Sequence, residues 1–296
     1  MNKGLWYAIS GASLWGLSGA MAQFVMTNGV TPVWLVGIRL LGAGILLMAW
    51  CFAVARQDIW RIWREKWSRW QLLIFTFLGV TASQLTYFLA VYYSNAATAT
   101  VLQFLAPLMI MVYLAVRFWQ LPRRIDTIAL VLALIGVVLV ATKGQLTSFA
   151  ISPLALMWAL LAALSGAVIT LMPRRLMHEF DARVVTGWTM LLGGLTFLPY
   201  LLATPVPDLD AGKMTSIGLI VVGGTLMSYL FYLASLRYLE PATAGMLGAF
   251  EPLVATLIAV VFLHTAFGLP EIIGGLCVVG TTFLQAWAER KTHALR

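Results

Sequence analysis

Ten apolar runs dominate the chain, at about 4–26, 32–55, 71–93, 96–116, 126–143, 152–173, 184–203, 215–238, 241–263 and 269–288. Each is near the 20 residues a helix needs to cross a bilayer, and none shows the strict alternation of a half-buried strand. The polar stretches between them are short and leave no room for a soluble domain. The pattern predicts an all-α integral membrane protein with ten transmembrane helices. One connection has a pattern of its own. Between 57 and 70, Trp60, Trp63, Trp67 and Trp70 recur at spacings of three and four, with Arg61, Arg64, Glu65, Lys66 and Arg69 among them. That spacing predicts an amphipathic helix whose indoles face the headgroup region.

The runs are not independent. Ala97-Thr98-Ala99-Thr100-Val101-Leu102-Gln103-Phe104-Leu105-Ala106-Pro107 returns 145 residues later as Ala242-Thr243-Ala244-Gly245-Met246-Leu247-Gly248-Ala249-Phe250-Glu251-Pro252, with five of eleven positions identical. Gly79, Ser83, Tyr87 and Tyr93 recur at the same offset as Gly224, Ser228, Tyr232 and Tyr238. The chain therefore reads as an internal duplication, 1–147 and 148–296. Lys3, an apolar run and Ala20-Met21-Ala22 together resemble a cleaved signal peptide. However, the run continues past that site, and Leu17-Ser18-Gly19-Ala20 recurs as Leu164-Ser165-Gly166-Ala167. It is expected to stay as the first helix. Five spans per half is an odd number, so the two repeats must be inverted in the membrane, an architecture of transporters with a midplane site.

Composition and charge sharpen this picture. Apolar residues make up 61% of the chain and charged residues 10%, against about 25% charged in soluble domains. The net charge of +8 could suggest nucleic acid, but the basic residues fall on one side of the predicted membrane. Sixteen Lys and Arg lie in the loops and termini on the N-terminal side, and only Lys143 and Lys213 lie opposite. This positive-inside bias predicts N-in and C-in. No nucleic-acid partner is expected. Cys51 and Cys277 sit in separate apolar runs as small buried hydrophobes, so neither a disulfide nor a metal site is expected.

A few polar residues lie inside the spans. Glu251 is the acid deepest in a segment, about 15 Å in at 1.5 Å per residue, near the middle of a core about 30 Å thick. Such a charge must be neutralised, paired or hydrated. Arg39 lies at a similar depth, so the two could form an ion pair. Alternatively, Glu251 exchanges a proton in a cavity, contacts substrate or faces trapped water. Pro107 and Pro252 each free a carbonyl one turn back, a helix kink that lipid tolerates only where protein or a watery cavity covers it. Gln84 and Tyr87 share one helix face, as do Ser228 and Tyr232. With Gln103, and with Trp15, Ser18, Trp158 and Ser165 on the first and sixth helices, they are the candidate cavity lining. The Ser18 and Ser165 small-residue runs equally suit close helix packing. Soluble-enzyme motifs, including a phosphate loop, are absent, and His178-Glu179 lacks the second His of a zinc helix. No cofactor is expected.

With Trp15-Gly16, Arg39 followed by Leu40-Leu41-Gly42-Ala43, Ala97-Thr98-Ala99 to Pro107 and its copy ending at Pro252, the chain resembles the drug/metabolite transporter superfamily in its EamA-type, ten-helix form. It departs where a glutamate often follows the fourth and ninth helices: Arg117-Phe118-Trp119-Gln120 and His264-Thr265 stand there. The resemblance implies an inner-membrane secondary exporter with a cavity lined mainly by helices 1, 3, 4, 6, 8 and 9. It also points toward exporters of amino acids, notably aromatic ones. Tyr87, Tyr232 and Trp158 suit flat apolar groups, while Gln84, Gln103 and Ser228 suit a zwitterion's amine and carboxylate. Export of an amino acid by alternating access is the expectation, with a monomer in the bilayer sufficing. Other metabolites, drugs and sugars remain alternative substrates. An intramembrane enzyme is the rival from another class, and one deep Glu without a buried His supports it poorly.

Overall fold

Inside a bilayer every backbone N–H and C=O must find its partner within the protein, so long apolar runs close their bonds as helices. The computed structural model describes residues 2–54, 58–118, 124–143, 151–235, 238–239, 247–264 and 267–294. Among these there are helices and turns but no strands. The ten membrane helices are α1 (Asn2–Thr27), α2 (Pro32–Ala49, prolonged by a π-turn at Trp50–Val54), α3 (Lys66–Ile74, a π-helix at Phe75–Thr81, then Ala82–Tyr93) and α4 (Ala96–Gln103 and Ala106–Phe118). They continue as α5 (Arg124–Thr142), α6 (Pro153–Leu171), α7 (Ala182–Leu195 and Leu198–Ala203) and α8 (Ala211–Val221, a π-helix at Val222–Met227, then Ser228–Ser235). The last two are α9 (Phe250–Leu263) and α10 (Leu269–Ala294). Residues 242–246 of the second repeat copy lie outside the described residues, as do Arg56, Arg123, Arg237, Trp119, Gln120, Thr265 and the expected repeat boundary at 147–148.

Starts follow local chemistry. Thr31, Asn95, Ser152 and Asp210 each accept a backbone N–H of the following turn, and Pro32 and Pro153 sit at first-turn positions where no N–H is needed. At Asp210 the backbone bond from Lys213, 2.9 Å long, holds the carboxyl below the usual carboxylate range.

The spans are less uniform than the apolar runs suggested. Among the described residues three helices, Pro32–Ala53, Lys66–Tyr93 and Ala211–Tyr232, carry an apolar stretch long enough to cross unbroken. Turns interrupt α4 at Phe104–Leu105 and α7 at Thr196–Phe197, and a turn at Gly248–Ala249 precedes α9. The segment at 58–70 is also corrected: in place of one amphipathic helix it forms a single 3-10 turn, Arg61–Trp63, and then the first turn of α3. Its indoles divide accordingly. Trp60 and Trp70 are exposed. Trp63 packs edge-on against Trp188 at 5.2 Å, and Trp67 lies under the Arg175 guanidinium at 3.7 Å.

Helix neighbours pair as a two-fold relation requires. Helix α1 packs on α8 and α9, and α6 packs on α3 and α4, while α2–α7, α4–α9 and α5–α10 are pairs of equivalent helices. The α2–α7 crossing is reciprocal. A Cβ on Gly44 would lie 2.5 Å from the Leu191 backbone nitrogen, and one on Gly194 would lie 2.6 Å from that of Leu41. These contacts are related by a shift of 150 residues, so α2 and α7 are superposed by it. Backbones this close admit only hydrogen at both positions. Gly44→Ala is therefore expected to destabilise the protein by about 1–3 kcal/mol through overpacking, seen as a lower thermal midpoint in detergent. An unchanged midpoint would contradict this crossing.

At the far end of α5 and α10, Lys143 Nζ reaches Glu271 Oε1 at 3.4 Å, and the Gly268 N–H donates to Glu271 Oε2 at 2.6 Å. Glu271 is buried, and the pair ties the last helix of one half to the last helix of the other.

Candidate functional site

The seam between the halves carries a polar and aromatic cluster at mid-span. At its centre, Gln84 of α3 donates through Nε2 to the Tyr229 hydroxyl of α8 at 3.3 Å. The two residues are 145 positions apart, the repeat offset itself. Equivalent residues of two related halves meet only where the relating axis passes between them, so this bond marks the pseudo-two-fold axis. Trp15 of α1 packs its ring against Tyr229, edge-on at 5.1 Å, and against Tyr232 at 5.1 Å. Tyr87 shares a 2.8 Å hydrogen bond with Thr100 of α4, and Gln103 Nε2 stands 3.5 Å from Ser83 Oγ. Trp15, Gln103, Tyr229, Tyr232 and Glu251 are only half-buried.

Glu251 lies in the first turn of α9, which starts at Phe250. Pro252 cannot donate a helical bond, and the Gly248 carbonyl instead accepts from the Glu251 N–H at 2.9 Å. The chain break thus places a helix N-terminus at mid-depth, where unpaired N–H groups and the macrodipole favour a carboxylate by about 1 kcal/mol. Its equivalent in the first half, Ala106, likewise begins a helical piece after the Phe104–Leu105 turn, with Pro107 as the next residue. Gly16 permits this placement: a Cβ there would collide with the Glu251 carbonyl and sit 2.9 Å from the Ala255 nitrogen.

The direct ion pair expected between Glu251 and Arg39 is not formed. Among the described residues the Glu251 carboxylate has no hydrogen bond or salt bridge. Arg39, 2% exposed, points elsewhere. Its Nε donates to Thr225 Oγ1 at 3.0 Å and its Nη2 to the Gly224 carbonyl at 3.3 Å, with the guanidinium 4.6 Å from the centre of the Phe88 ring. The physical reason is the α8 π-helix. Its wide turn redirects backbone carbonyls, and the planar guanidinium reaches one of them together with a side-chain oxygen. Matching depth along two helices had suggested the pair, but depth carries no information on which way each side chain turns. Arg39 and Glu251 remain within electrostatic reach of each other and of Tyr87 and Tyr229.

Other expected lining residues divide. Ser228 is fully buried and donates within its own helix to the Gly224 carbonyl at 2.8 Å, and Ser18 packs directly against Gly224. Ser18 thus lies in the α1–α8 contact between the halves, while the Ser228 hydroxyl is spent within its own helix. Ser165 donates to the Leu161 carbonyl at 2.9 Å within α6. Trp158 is half-buried, and its indole N–H has no hydrogen-bond partner among the described residues. Sequence reasoning overlooked Tyr229, Thr225 and Thr100. A signal for Tyr229 existed: it stands 145 residues after Gln84.

The π-helices of α3 and α8 occupy corresponding places in the two halves, beginning at Phe75 and Val222. In the second half the residue equivalent to Arg39 by the α2–α7 register is Thr189. It is buried and hydrogen-bonds to the Thr186 carbonyl at 2.9 Å. The fixed positive charge therefore belongs to one half only, as the deep carboxylate does.

The EamA-like transporter family model matches the chain twice, over residues 2–142 and 153–287. An inner membrane transporter of Salmonella typhimurium, YicL, itself uncharacterized, is 33% identical over 292 residues, covering 98% of this chain and 97% of that protein. The protein PecM of Dickeya dadantii is 24% identical over 209 residues, 69% of each chain. A solved crystal structure superposes with a TM-score of 0.67 at 19% identity, covering 99% of both chains, which shows a shared fold. Matched in both halves and related along nearly its whole length to an inner membrane transporter, the chain belongs to the EamA-like transporter family and is a multi-pass inner-membrane protein.

Proposed function

We propose that this transporter exports amino acids, aromatic and other neutral ones, by alternating access. The halves 1–147 and 148–296 rock about the axis between Gln84 and Tyr229. The observation that carries the reading is the cluster on that axis. Trp15, Tyr229 and Tyr232 offer ring faces, and Gln84 and Gln103 offer amide donors and acceptors. Glu251, without a hydrogen-bond or salt-bridge partner among the described residues, stands among them. A flat apolar side chain fits the rings, and a zwitterion's carboxylate and ammonium match the amides and the carboxylate. The second piece of α4, from Ala106, and α9, from Phe250, both start beside this cluster, the arrangement by which transporters present helix ends to polar substrates.

The test is flux into proteoliposomes with labelled phenylalanine, threonine and a panel of sugars. The reading predicts saturable transport of the amino acids and none of the sugars, and sugar flux alone would overturn it. Within the amino acids, Trp15→Ala is expected to raise the KM for phenylalanine about tenfold. One lost ring contact is worth about 0.5–1.5 kcal/mol, and 1.4 kcal/mol is a factor of ten. The KM for threonine should move far less. Equal shifts for both would place Trp15 in packing and not in recognition.

A further inference from the structure

We propose that the outward face of α3, with the turn that precedes it, is a binding site for an anionic phospholipid of the cytoplasmic leaflet. One stripe of α3 reads Lys66, Trp70, Ile74 and Leu78, four residues apart and therefore stacked on one side of the helix. All four are exposed, Trp70 at 60% and Leu78 at 60%. From Lys66 to Leu78 the helix rises about 18 Å at 1.5 Å per residue. The stripe passes in that distance from an ammonium through an indole to aliphatic carbon, the order of phosphate, glycerol and acyl chain in a phospholipid. Phe77 on α3 and Trp50 and Phe52 at the end of α2 are further exposed apolar groups.

The headgroup end is more positive than its composition suggests. Of the acids nearby, Asp58 is taken by Arg64 at 3.1 Å, and Glu65 accepts the Trp67 indole N–H. Arg61, Lys66 and Arg69 are exposed and have no acidic partner among the described residues. The backbone presenting them is held firm, since the Trp188 indole donates to the Ile59 carbonyl at 2.7 Å and Ser68 donates to the Ile62 carbonyl at 2.6 Å. Three exposed cations without an acidic partner among the described residues, Arg61 among them with its guanidinium 5.6 Å from the Phe180 ring, stand on an anchored turn above an apolar wall and complement a phosphate diester with two acyl chains. The positive-inside bias puts this end on the cytoplasmic side, where anionic headgroups attract each nearby Lys or Arg.

The experiment counts lipid adducts on the full chain by native mass spectrometry. Thermal midpoints in detergent are followed in parallel with phosphatidylglycerol, phosphatidylcholine or inorganic phosphate added. The site predicts a phosphatidylglycerol adduct and a raised midpoint, with little effect of phosphatidylcholine. In the variant Arg61→Gln/Lys66→Gln/Arg69→Gln, phosphatidylglycerol affinity should fall about 100-fold, each cation contributing about a factor of five. The lipid-free midpoint checks that this surface variant is folded. Arg124→Gln, which removes an exposed cation at the start of α5, should leave affinity within about a factor of two. Equal loss in Arg124→Gln would mean diffuse attraction and overturn the site. So would retained affinity in the triple variant, equal binding of phosphatidylcholine, or an equal response to inorganic phosphate.

Discussion

Replacing Glu251 with Gln is expected to abolish accumulation driven by a pH gradient while leaving exchange of substrate intact. A carboxylate near the membrane middle costs several kcal/mol unless something neutralises, pairs or hydrates it. Among the described residues no side chain forms a hydrogen bond or salt bridge with it, and Arg39 acts on it only at a distance. The helix start at Phe250 offsets only about 1 kcal/mol of that cost. Under the alternating access proposed above, such a group takes a proton from one side and releases it to the other, or exchanges it for a substrate ammonium. Glutamine keeps the size and hydrogen bonding and loses the exchangeable proton. Driven uptake in proteoliposomes should fall to the level seen without a gradient, and counterflow should stay within a few-fold of wild type. Gradient dependence that survives in Glu251→Gln would remove the carboxylate from coupling.

The largest effect on the fold is expected from Arg39. Its guanidinium satisfies Thr225 Oγ1 and the Gly224 carbonyl in the π-turn of α8, four residues before Tyr229. Arg39→Ala removes two hydrogen bonds from a charged donor, worth about 1.5–3 kcal/mol, and leaves the Gly224 carbonyl with only the Ser228 hydroxyl as a side-chain donor. The outcome expected is a midpoint lowered by several degrees, with transport partly restored by free guanidinium ion. Arg39→Lys should not restore it, because a point ammonium lacks the planar fork that serves both acceptors. The double variant Arg39→Gln/Glu251→Gln separates this account from an ion pair. If the residues were paired, the second change would relieve the first. With separate partners, the two losses should add to within about 0.5 kcal/mol. Clear rescue in the double variant would restore the pair.

Why one part of this molecule could be read from its residues and another could not has a geometric answer. Apolar length, the offset of 145 and the one-sided distribution of Lys and Arg each act along one dimension, and ten spans in two opposed halves follow from them. The site depends on azimuth, which a run of apolar residues hides. Arg39 and Glu251 were matched by depth, yet a π-turn carrying no proline aims Arg39 at α8. Ser18 and Ser228 looked like cavity hydroxyls, and they lie in helix contacts because Gly224 brings α1 and α8 together. Tyr229 went unnoticed because repeats announce themselves by identity, and Gln84 and Tyr229 are equivalent without being alike. An axis residue need not match its counterpart; it need only touch it.

The central claim is that substrate passes between two conformations at the axis marked by Gln84 and Tyr229. Its most direct measurement is counterflow of labelled phenylalanine in sealed proteoliposomes, for the wild-type protein and for Tyr229→Ala. The account predicts labelled uptake that rises when unlabelled phenylalanine is loaded on the opposite side, saturates, and is lost in Tyr229→Ala despite normal folding. Uptake indifferent to the opposite side, or unchanged in Tyr229→Ala, would contradict it.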